Sequence, residues 1–96
     1  EREVAHRLGH PIEFMPNVAA HFRGITMTCN LHFRAPQSRE ALQARLLSAY
    51  GREPLVQLAD AAPWVSTMAG KPGAAIGGLA ISADGRRAVL VATIDN

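Results

Sequence analysis

Cysteine is nearly absent from this sequence. Cys29 stands alone among 96 residues, which excludes an internal disulfide and fits a reducing, cytoplasmic setting. Aromatic residues are also sparse, at 5%, and they do not alternate with basic ones as a base-stacking surface would. A net charge of +2 is too small for a clustered basic face, so nucleic acid and anionic membrane are not expected partners. No apolar run approaches the roughly 20 residues of a membrane helix. The polar, charged first residues do not read as a signal peptide. Neither G-x-S-x-G, C-x-x-C nor a paired-carboxylate motif occurs, and there is no repeat. "GKPGAAIGG" fits neither common phosphate-loop pattern, and no helix follows it.

What remains is an ordinary globular composition, 48% hydrophobic and 19% charged. It predicts one domain with a modest core. Residues 2–8 read as a short helix stopped by Gly9 and Pro11. Ile12 to Met15 are expected to form a short strand, and residues 16–24 a loop. Ile25, Met27, Cys29, Leu31 and Phe33 then alternate with Thr26, Thr28, Asn30 and His32, the period of a strand with one apolar face. "APQSREALQARLLSAYG" reads as a helix opened by Pro36 and Ser38 and closed by Gly51. "PLVQLA", "VSTMA" and "AAIGGLAIS" read as extended pieces, the last weakened by Gly77 and Gly78. Asp84-Gly85 marks a hairpin turn, and "AVLVATI" reads as a central strand covered on both faces. The order implies an α+β fold, a mixed, mainly antiparallel sheet with helices on one face. Both ends read as cut from something longer.

Each candidate site has a plain alternative. Cys29 lies on the apolar side of its strand and reads as packing rather than as a nucleophile. His6 and His10 have helical i, i+4 spacing, but the helix breaks there and no third ligand is recognisable, so no metal is expected. Arg86 and Arg87 read as solvated hairpin charges. His21-Phe22-Arg23-Gly24 stands out. Arginine suits bidentate recognition of carboxylate or phosphate, and Gly24 permits a sharp turn or a close approach. An arginine at a strand entrance is also a common surface ion pair.

The string "EFMPNVAAHFRGI" resembles the segment F-T-P-H-L-x-P-x-x-R-G-I of N-acetyl-gamma-glutamyl-phosphate reductases. Phe14, Pro16, Arg23, Gly24 and Ile25 match in register. "SAYGREPLVQL", "AAIGG" and "VLVATIDN" are similar to later segments of that family in the same order, so the resemblance spans nearly the whole chain. It implies the fold of the C-terminal halves of glyceraldehyde-3-phosphate and aspartate-semialdehyde dehydrogenases. The implied activity is NADP-dependent reduction of an acyl phosphate to a semialdehyde in arginine biosynthesis. A cysteine nucleophile and a histidine carry that chemistry, and the family places both ahead of Glu1, together with the nucleotide-binding domain.

Residues 1–96 are therefore expected to be an excised substrate-binding and oligomerisation domain, inactive alone, contributing no catalytic residue. The resemblance implies substrate contacts from Arg23, Gly24, Asn17 and His21, a cofactor contact from Asn96, and a homo-oligomer. Asn17 replaces the family's histidine, and an amide takes no proton near neutral pH. Two other readings stand beside this one. The first is the sibling reductase of lysine biosynthesis, whose substrate rides on an acidic carrier protein. The second is a free-standing, self-associating α+β binding module.

Overall fold

The alternating stretch forms β1 (Ile25–His32) in a computed structural model that describes all 96 residues. β1 pairs antiparallel along its whole length with β4 (Arg87–Ile94). On its other side β4 pairs antiparallel with β3 (Ala74–Ile81), which takes β2 (Val56–Ala59) as a parallel neighbour. The order β1-β4-β3-β2 makes the mixed, mainly antiparallel sheet of an α+β fold. The apolar run "AVLVATI" lies inside the sheet, as its unbroken hydrophobicity predicts.

The longest helix, α2 (Arg39–Tyr50), starts where its cap predicts. Ser38 adopts extended backbone, and its Oγ accepts a hydrogen bond from the Ala41 N–H at 3.1 Å. Leu42 and Leu46 then point at Leu31, Leu79 and Leu90 and cover one end of one sheet face. A β-bulge makes that contact possible. Between Gly77 and Ala80, β3 carries one residue more than the facing part of β4, with Gly78 at φ 68°. The extra residue resets the alternation, so Leu79 joins Ile76 on the α2 side. This is why "AAIGGLAIS" shows no clean period of two.

Three local expectations are corrected. Ile12 to Met15 form no strand. Pro11 and Pro16 bracket only four residues, and the Phe14 N–H donates to the Glu1 carboxylate instead of to a ladder. "VSTMA" is not extended but forms a single helical turn, α3 (Val65–Met68), entered from extended backbone at Trp64. One turn is too short to show a 3.6-residue period. α3 packs on the sheet face opposite α2, where Met68 and Thr93 are fully buried and Thr93 Oγ1 donates to the Pro63 carbonyl at 3.1 Å. The helices thus divide between the faces, α2 on one and α3 on the other. Third, Arg86 is not merely solvated, because its guanidinium donates to the Arg34 carbonyl at 2.7 Å.

α1 (Arg2–Leu8) ends at Gly9, whose φ of 62° gives a left-handed cap, as expected. It buries none of its residues. The face that α2 only partly covers stays open near the start of β1, where Ile25 and Met27 are 46% and 49% exposed.

Candidate functional site

The antiparallel register sets Ile25 opposite Ile94 and Ile94 opposite Ala74. The entrance of β1, the exit of β4 and the entrance of β3 therefore meet at one end of the sheet. Arg23 and Gly24 arrive on the first, Asp95 and Asn96 on the second, and Gly70 to Gly73 on the third.

Asp95 ties these segments together. Its Oδ1 lies 2.9 Å from Arg23 Nε, and its Oδ2 accepts the Gly70 N–H at 2.9 Å. The carboxylate side chain is only 10% exposed, whereas Arg23 is half exposed, at 51%. A nearly buried carboxylate is costly unless it is paired and hydrogen-bonded, and both oxygens are here engaged. Held at Nε, the guanidinium still carries four N–H groups on its two terminal nitrogens, the fork that grips carboxylate or phosphate. Its flank lies 5.7 Å from the centre of the exposed Phe22 ring.

Gly24 has φ 115°, a region that side chains avoid, and a Cβ there would lie 2.3 Å from Val65 Cγ1. The close approach that Gly24 permits is thus made to α3. His21 folds back within the same turn, with Nε2 3.4 Å from the Gly24 carbonyl. Asn17 donates to the nearby Met15 carbonyl at 3.4 Å, and no hydrogen bond joins it to Arg23 or Asp95. Asn96 is exposed at the exit of β4. The structure therefore brings Arg23, Gly24 and His21 to the sheet end that Asn96 shares, and leaves Asn17 outside the bonded cluster.

Cys29 lies in mid-strand, away from this end, and burial pushes its thiol up, opposite to the shift a nucleophile needs. Sequence reasoning missed Asp95. Its one signal was position, an acid directly after a central strand and directly before Asn96.

The semialdehyde dehydrogenase dimerisation-domain profile matches residues 1–96. The chain belongs to that family. Among curated relatives it is 55% identical over 96 residues to an N-acetyl-gamma-glutamyl-phosphate reductase of Xanthomonas euvesicatoria. It is 51% identical to one of Stenotrophomonas maltophilia and 44% identical to one of Xylella fastidiosa. Each alignment covers 100% of this chain and 29–30% of the relative, so the chain spans under a third of the length of the proteins it matches. The family match agrees with the resemblance carried by "FRGI" and "VATIDN".

Proposed function

We propose that this chain is the substrate-facing and oligomer-forming part of an NADP-dependent N-acetyl-gamma-glutamyl-phosphate reductase. Its parent converts an acyl phosphate to a semialdehyde in arginine biosynthesis, in the cytoplasm. The single observation that supports this reading best is the register of β1 against β4. It sets Arg23, a substrate candidate, and Asn96, a cofactor candidate, at the same sheet end. Those roles came from separate segments of the sequence.

In this reading Arg23 binds an anionic group of the substrate through its terminal nitrogens, in the planar geometry that suits a carboxylate or phosphate. Gly24 fixes the direction of that arginine by seating the loop against Val65. His21 braces the turn through the Gly24 carbonyl, and Asn17 lends an amide at the loop's outer edge. The exposed Asn96 amide both donates and accepts, which fits one contact to a dinucleotide. No Gly-rich strand-to-helix turn is present to hold a pyrophosphate, so the main cofactor site belongs to residues outside this chain. Bound there, the nicotinamide supplies the hydride. The nucleophilic cysteine and the acid-base histidine also come from outside, and the chain alone is inactive.

The carrier-protein variant of lysine biosynthesis calls for a basic surface near the site. Arg86 and Arg87 lie at the opposite end of β4 from Asp95, and Arg86 is engaged by the Arg34 carbonyl. The small-molecule acyl phosphate is the better-supported substrate.

The test uses the full-length protein that carries this chain. It should reduce the acyl phosphate with NADPH, and Arg23→Ala should lower kcat/KM by about 1–3 kcal/mol equivalent, as loss of a charged hydrogen bond does. A lower melting temperature with unchanged kinetics would make Arg23 structural. Absence of reductase turnover in the unaltered protein would end the proposal.

A further inference from the structure

We infer that Asp95 is a positioning residue for substrate recognition, acting through Arg23. The inference rests on the reading of Arg23 given above. An arginine on an exposed loop is free to swing, and its long side chain loses much rotamer entropy on binding. Here the loss is taken before any ligand arrives. Asp95 Oδ1 holds Nε at 2.9 Å, and Asp95 itself is fixed by the Gly70 N–H on Oδ2 and by its place directly after β4. The carboxylate is nearly buried while the guanidinium is half exposed, so the fixed partner is the acid and the presented partner is the base. The 2.9 Å contact is made at Nε, and the terminal nitrogens carry four further N–H groups for a ligand. The site gains a pre-aimed cation, and its specificity falls on ligands with two coplanar anionic oxygens.

Gly70 adds a second consequence. The N–H that fixes Asp95 belongs to the turn after α3, and α3 packs on Gly24 through Val65. The loop before β1, the turn after α3 and the exit of β4 therefore share one carboxylate. A shift in any of them reaches the guanidinium.

The test compares Arg23→Ala, Asp95→Asn and the double variant in the full-length protein, measuring KM for the acyl phosphate, kcat and melting temperature. Asp95→Asn keeps an oxygen for the Gly70 N–H but cannot hold both partners with charge. It should raise KM for the acyl phosphate about tenfold. Arg23→Ala should raise KM at least as much, and Asp95→Asn should add nothing further in that background. A KM shift from Arg23→Ala but none from Asp95→Asn overturns the role of Asp95 alone. No KM shift from Arg23→Ala overturns the reading of Arg23 and this inference with it. Equal, additive effects overturn coupling through Arg23, and a lowered KM in Asp95→Asn means that the acid competes with substrate for the guanidinium. Should Asp95→Asn not fold, Asp95→Glu keeps the charge and displaces the guanidinium by one methylene. It should give a smaller rise in KM, and an unchanged KM counts against the inference.

Discussion

Gly24 is the residue at which the loop and the sheet constrain each other most directly. Its φ of 115° and the 2.3 Å that would separate a Cβ from Val65 Cγ1 are independent obstacles to any side chain. Gly24→Ala should therefore lose about 1–3 kcal/mol of stability, from backbone strain and overpacking together, read by denaturant unfolding of the full-length protein. Adding Val65→Ala should recover the packing part and leave the backbone part. A Gly24→Ala protein as stable as the parent would mean that the loop rearranges freely, and that Arg23 is not aimed by it. Arg23 drew notice in the sequence as a candidate because arginine and glycine sit together before an obvious strand. Its ion pair with Asp95 left no such mark, because an antiparallel register between distant segments does not show in the local pattern around either one.

At the scale of elements, legibility followed length and chemistry. β1 declared itself by strict alternation, α2 by its Ser38 cap and its leucines, and the β3–β4 hairpin by Asp84-Gly85. α3 was hidden because one turn holds too few residues for a period. The expected strand at Ile12 to Met15 failed for want of a partner between two prolines. The bulge at Gly78 explains why β3 looked weaker than it is, since glycine there resets side-chain direction rather than ending the strand.

The hairpin turn also makes a pH prediction. The Ser82 hydroxyl, first, and the Arg86 N–H, second, hold the Asp84 carboxyl below the usual carboxylate range. Its folded pKa lies below its unfolded one, so its contribution is present above the unfolded value and is lost as pH falls through the depressed folded value. Amide exchange at Arg86 and Arg87, compared with the intrinsic rate at each pH, should show more frequent opening as pH drops from about 5 to about 2. Asp84→Asn should flatten that dependence. A profile identical in the two proteins would remove Asp84 as its source.

For the molecule as a whole, the decisive property is an unfinished surface. Only seven of the 96 residues are buried, and short chains bury a smaller share of their surface than long ones. One sheet face is covered by α2 at the Leu31 end and left open around Ile25 and Met27. Apolar area of this kind is a mark of association, and the family description names dimerisation. A charge placed in that face should be incompatible with a buried contact. Met27→Glu in the full-length protein should weaken self-association at least tenfold, measured by sedimentation over a range of concentrations, with the fold retained. Unaltered sedimentation would move the interface to another surface.

The strand order carries a consequence for how the chain reaches this state. Within this sheet β1 pairs only with β4, and α2, β2, α3 and β3 lie between the two in sequence. As the polypeptide leaves the ribosome, the most strongly patterned segment lacks its partner in this sheet until those four elements and β4 have been made. The ion pair between Arg23 and Asp95 waits a little longer, since its acid lies just beyond β4. Long-range pairing of this sort slows folding and leaves an apolar strand bare in the interim. The loop before β1 therefore gains its ion pair only after β4 has been made, and its formation reports that this four-stranded sheet is already in place.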